Sequence, residues 1–117
     1  MKVSIYHNPR CSKSRQTLAL LEEQGIKPDI VEYLKDAPSE KTITHLLELL
    51  GLEPRELMRK GEDEYKSLQL SDENLSREAL IKAMSENSKL IERPIVVVDD
   101  NRAAIGRPPE SILGLFK

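Results

Sequence analysis

The chain has 117 residues, 38% of them hydrophobic and 32% charged, with a formal net charge of −2; that length suits one domain with its own core. The weak net charge provides no global field to steer the protein to nucleic acid or an anionic membrane. With 3% aromatics and no Trp a base-stacking platform is not expected, and no apolar run approaches the roughly 20 residues of a membrane span.

Val3–Tyr6 is short and apolar enough for a central strand. It runs into Asn8-Pro9-Arg10-Cys11-Ser12-Lys13-Ser14-Arg15. Pro9 fixes its own φ and biases Asn8 away from helix, so the strand turns here. Cys11 or Ser12 is then the natural N-cap of a helix signalled by Thr17-Leu18-Ala19-Leu20-Leu21, with Ser14, Leu18 and Leu21 on one face and Gly25 at its end. The one cysteine of the chain therefore stands where free backbone N–H groups and the positive end of a helix dipole converge. Arg10, Lys13 and Arg15 add cationic charge, and such surroundings lower a thiol pKa. A free cysteine is commonly a small buried hydrophobe; a proline turn with three cations points instead to a nucleophilic thiolate beside an anion site. A lone cysteine excludes an internal disulfide and fits a reducing cytoplasm. The N-terminal residues, polar by position 7, do not read as a signal peptide.

Ile30–Leu34 is expected as a second strand, completing a βαβ unit with parallel strands and placing Cys11 at the C-terminal end of the first. Ser39 caps a helix whose apolar stripe is Ile43, Leu46, Leu47 and Leu50, and Gly51 stops it. Pro54 opens a short helix carrying Leu57 and Met58. A polar stretch from Glu62 to Asn74 holds one more short helix. Ser76 caps another, with Leu75 and Leu80 as a hydrophobic staple. The stretch from about 36 to 91 is thus helical. Ile95–Val98 is a β-branched third strand; Asp99–Arg102 turns, and Ala103–Ile105 closes a hairpin. Gly106-Arg107-Pro108-Pro109 leads to a last helix with Ile112, Leu113 and Phe116 inward.

The order β-α-β, helices, β-β-α resembles the thioredoxin or glutaredoxin arrangement: an α/β fold with one mixed four-stranded sheet and helices on its faces. The chain reads as a single such domain, 1–117, with the helical segment as an insertion. Three arginines stand at element boundaries: Arg59, Arg93 and Arg107. Taken singly, each is more often a solvated surface residue. An antiparallel third strand would nonetheless bring Arg93 beside the Cys11 end.

Four blocks together resemble one family. They are Tyr6-His7-Asn8-Pro9-Arg10-Cys11-Ser12-Lys13-Ser14-Arg15, Glu56-Leu57-Met58-Arg59, Glu92-Arg93-Pro94-Ile95-Val96-Val97 and Ile105-Gly106-Arg107-Pro108-Pro109-Glu110. The chain resembles the arsenate reductase family of the ArsC type, which includes the Spx regulators, and most strongly its YfgD branch. The resemblance implies Cys11 as the nucleophile and Arg59, Arg93 and Arg107 as the arginines that hold arsenate or a similar oxyanion. It implies His7 as a support of the thiolate, although as a residue His7 reads equally well as part of the turn. Asn8 and Pro9 shape the loop, Ser14 and Arg15 support it, and Pro94 follows a cis bond beside the thiol. His45 matches nothing functional. No metal and no resident cofactor are implied.

Glutathione is the implied co-substrate and glutaredoxin the implied protein partner, in a cytoplasmic monomer. The absence of a second cysteine agrees, since reducing equivalents must then come from outside. Two features depart from the family's pattern. Better-characterised arsenate reductases carry Gly-Thr directly after the nucleophile, where this chain has Ser12-Lys13. Spx regulators often carry Cys-x-x-Cys, where this chain has Ser14. The expected function is a glutathione/glutaredoxin-dependent arsenate reductase. The alternatives are a glutathione-dependent thiol reductase of another substrate and a non-catalytic, Spx-like protein that binds RNA polymerase.

Overall fold

A computed structural model describes residues 1–116. The chain packs as two compact units, one formed by Met1–Asp36 with the residues from Arg93 onward, the other by Ala37–Glu92.

The first unit contains strands β1 (Val3–Tyr6), β2 (Asp29–Val31), β3 (Ile95–Val98) and β4 (Arg102–Ile105). They form one mixed sheet in the order β2-β1-β3-β4. β1 is parallel to β2 and antiparallel to β3, with Tyr6 opposite Ile95. That register sets the end of β1 against the start of β3, where the sequence places the two reactive-site motifs. Helix α1 (Ser12–Glu23) and a C-terminal 3-10 run (Pro109–Phe116) bring Leu21, Ile112 and Leu115 onto one face of the sheet, where they meet Val3, Ile5, Val96 and Val98 in a common core. All four residues of β3 are buried, the pattern of a central strand.

Two local expectations are corrected here. The second strand does not reach Leu34. It stops at Val31, because Lys35 and Asp36 donate backbone hydrogen bonds to the Glu32 carbonyl and curl the chain into a turn. Tyr33 is buried and Leu34 is exposed. The last helix is 3-10, so its inward face repeats every third residue: Pro109, Ile112 and Leu115 are buried. Leu113 and Phe116, expected inward at a period of 3.6, are only partly buried.

The second unit holds α2 (Glu40–Leu50), α3 (Asp63–Ser67) and α4 (Arg77–Glu86), with 3-10 turns at Pro54–Leu57 and Ser88–Leu90. α2 packs on α4, burying Ile43, Leu46 and Leu47 on one side and Leu80, Ile81 and Met84 on the other. Both helices start as their sequences dictate: the Ser39 and Ser76 hydroxyls accept from the Thr42 and Ala79 amides, each at 3.1 Å, which satisfies orphan donors. Gly51 ends α2 with φ of 67°, a conformation that glycine adopts without a Cβ penalty. An isolated antiparallel bridge joins Met58 to Ile91.

Candidate active site

The loop between β1 and α1 is built by its own residues. Cys11 N–H donates to the Asn8 carbonyl at 3.0 Å, closing a four-residue turn with Pro9 second, where its fixed φ fits. Asn8 Oδ1 accepts from Arg10 N–H at 3.0 Å, an Asx turn on top of the first. The turn delivers Cys11 as the N-cap of α1. Its sulfur makes no regular capping hydrogen bond and is largely buried.

Behind the loop lies a fully buried hydroxyl. Ser14 Oγ accepts from Asn8 N–H at 3.0 Å and lies 2.6 Å from His7 Nδ1. The hydroxyl keeps a second lone pair as well as its proton, so it pairs with Nδ1 whichever tautomer the ring adopts. Burial pushes the His7 pKa down, against the opposing attraction of Glu32, which favours the uncharged ring. His7 is therefore a buried strut of the loop.

Two arginines approach the sulfur. Arg107 Nη2 donates to Cys11 Sγ at 3.6 Å, and Arg107 Nε donates to the Arg93 carbonyl at 2.8 Å. Burial raises the Cys11 pKa, but the Ser14 amide, the Arg93 guanidinium and the Lys13 amide more than offset it, and the thiol lies below its ordinary value. The direction is the one expected, but the charges are different ones. The side chains of Arg10, Lys13 and Arg15, adjacent in sequence, are exposed, while the guanidinium groups at the sulfur come from Arg93 and Arg107, far downstream. The Arg93–Pro94 bond is cis, as expected, and so is Arg107–Pro108.

Of the residues expected at a site, the fold thus groups Cys11, His7, Asn8, Ser14, Arg93, Pro94 and Arg107 in the first unit. Arg15 is on the exposed side of α1. Arg59 belongs to the second unit, where Nη1 meets Glu92 at 2.7 Å and Nε meets Glu62 at 3.4 Å. His45 sits on α2, half-buried. Two residues had no place in the expected site: Thr17 and Gly106. Thr17 is a fully buried polar residue three positions after Ser14, and its Oγ1 donates to the Lys13 carbonyl at 2.8 Å. Gly106 is buried and donates its N–H to the Pro94 carbonyl at 2.9 Å. A threonine on the apolar face of a helix and a glycine directly before an arginine were the available signals. Among the described residues no three His, Cys, Asp or Glu side chains are grouped to hold a metal ion, and no helix is long and apolar enough to cross a membrane.

The arrangement is that of a thioredoxin-like protein with one ionisable thiol at a helix N-terminus and two arginines beside it, able to receive an oxyanion next to a nucleophile. Its sequence and structure have relatives. The model of the ArsC family matches residues 6–115. An arsenate reductase of Haemophilus influenzae is 52% identical over 99% of this chain and 100% of its own length. The YfgD protein of Escherichia coli is 57% identical over 96% of this chain and 94% of its own. The solved arsenate reductase of Vibrio cholerae superposes with a TM-score of 0.94 at 55% identity, covering 97% of each chain. The chain belongs to the ArsC family.

Proposed function

We propose that this protein reduces arsenate to arsenite with glutathione as the external reductant and glutaredoxin as the partner that restores it. The observation that carries the reading is Arg107 Nη2 at 3.6 Å from the sulfur of a cysteine with a lowered pKa. The family and the names of its relatives supply the substrate.

The Cys11 thiolate attacks arsenic(V), a Cys11–arsenic bond forms, and one arsenate oxygen leaves as water after protonation. Arsenate is an anion near neutrality and must approach a negative sulfur. Arg93, Arg107 and the N–H groups at the start of α1 lower that repulsion and stabilise charge on the departing oxygen. Arg59, which the family resemblance adds to this set, lies in the second unit, where Glu62 and Glu92 hold its guanidinium. The sulfur of glutathione then attacks Cys11 Sγ, a disulfide forms, and arsenic leaves with the bonding pair as arsenite. Two thiols have lost two electrons and arsenic has gained two. Glutaredoxin takes the glutathionyl group from Cys11 by thiol–disulfide exchange.

Ser12-Lys13 in place of Gly-Thr supports a second reading, in which the same thiolate serves a different oxidised substrate with the same glutathione chemistry. A Spx-like regulator is less well supported: Ser14, at the position of the second cysteine of that switch, is fully buried and occupied as a hydroxyl. The test is oxidation of NADPH coupled through glutathione reductase, glutaredoxin and glutathione, with arsenate as substrate. Turnover is expected in the wild type and none in Cys11→Ser. Turnover that survives Cys11→Ser contradicts the mechanism, and a wild type inactive on arsenate contradicts the substrate.

A further inference from the structure

Three segments carry the groups that face Cys11: the start of α1, the Arg93-Pro94 turn and the Gly106-Arg107 turn. They meet at one point, which is the backbone of Gly106. Its N–H donates to the Pro94 carbonyl at 2.9 Å, and the next residue supplies the guanidinium on the sulfur. On the other side of Gly106 is Thr17, on α1 six residues after Cys11. A Cβ at position 106 would lie 2.9 Å from Pro94 Cγ and 3.1 Å from Thr17 Cγ2, and closer still to Thr17 Oγ1, inside van der Waals contact. Thr17 cannot rotate away without cost. It is fully buried, and its Oγ1 is bound to the Lys13 carbonyl at 2.8 Å; a buried hydroxyl left without its partner is unfavourable. Relief must therefore come from the backbone, by α1 and the two arginine turns moving apart.

We propose that Gly106 and Thr17 are positioning residues of the thiolate site: the contact between a bare Cα and a pinned threonine sets how closely Arg93 and Arg107 approach Cys11. The inference concerns ionisation of the thiol and stands whether or not arsenate is the substrate. Arg107 Nη2 stands 3.6 Å from the sulfur, and any separation of the segments lengthens and weakens that contact.

The test is the pH profile of iodoacetamide alkylation of Cys11 in the wild type, Gly106→Ala, and Gly106→Ala with Thr17→Ala, with circular dichroism to verify folding. Gly106→Ala is expected to fold and to shift the midpoint up by about one pH unit, a roughly tenfold loss of thiolate at a fixed pH below the midpoint. Thr17→Ala in that background removes both close contacts on the helix side and is expected to restore at least half of the shift. Thr17→Ile, measured in parallel, crowds the same contact from α1 and is expected to shift the midpoint in the same direction, so the outcome does not depend on Gly106→Ala folding. An unshifted midpoint in a folded crowded variant overturns the proposal. So does a shift that the double variant retains in full, because a general loss of packing would not be relieved by deleting the threonine.

Discussion

Ser14→Ala is the perturbation that the loop geometry makes most specific. The alanine keeps the helix and the backbone amide that favours the thiolate, and removes only Oγ. Two buried groups then lose their partner: the Asn8 N–H, at 3.0 Å, and His7 Nδ1, at 2.6 Å. Each such group costs about 1–3 kcal/mol when left unsatisfied in the interior. Ser14 is fully buried and His7 and Asn8 nearly so, so water does not readily replace the hydroxyl; the sum is about 2–6 kcal/mol. In urea, with a slope of about 2 kcal/mol per molar, the unfolding midpoint should fall by about 1–3 M with the slope unchanged. Thr44→Ala, which removes an exposed hydroxyl bond to the Glu40 carbonyl on α2, should stay within about 0.5 kcal/mol of the wild type. A Ser14→Ala midpoint equal to that of Thr44→Ala would refute the buried hydroxyl as the strut of the loop.

The remaining predictions concern charge. Arg107→Ala should raise the Cys11 alkylation midpoint and lower kcat/KM by about 10- to 150-fold, the loss of one charged hydrogen bond at about 1.5–3 kcal/mol, and Arg107→Lys should restore little because lysine has no planar fork to hold the Arg93 carbonyl and the sulfur together; activity equal to wild type in either variant counts against the role. His7, with its pKa pushed down by burial, contributes stability that is complete above its unfolded pKa of about 6.5 and is lost as pH falls through its lower folded value. Unfolding free energy measured from pH 7.5 to 5 should therefore drop in the wild type and drop less in His7→Asn, which removes the titrating ring and keeps a polar group at the δ position; parallel curves would remove His7 from the linkage.

The sequence was legible where local chemistry decides the structure. The Pro9 turn, the Ser39 and Ser76 caps and the β-branched run Ile95–Val98 each have a physical cause within a few residues, and each is found in place. The two local misreadings arise where local chemistry gives no decision. Ile30–Leu34 has the composition of a strand, but the Glu32 carbonyl is claimed by Lys35 and Asp36. The C-terminal run has enough apolar residues for either helix type, and only the 3-10 geometry selects Leu115 over Leu113. At the site, the position of Cys11 at a helix start followed from Pro9 and the apolar period of α1. The charges that act on the thiol did not follow from proximity in sequence. Arg10, Lys13 and Arg15 point outward from a turn and a helix start, whereas Arg93 and Arg107 come from segments that only the antiparallel pairing of β1 with β3 brings near. The link between Thr17 and Gly106 is a contact of shape across 89 positions and has no local signature.

The central claim is that Cys11 joins arsenic and then glutathione in a single reaction. Intact-protein mass spectrometry after rapid acid quench tests it most directly, with the protein incubated with arsenate and glutathione together and with each alone. One glutathionyl group is expected on Cys11 only when both are present, and none in Cys11→Ser. A wild-type protein that stays unmodified with both, or that is modified equally without arsenate, would contradict it.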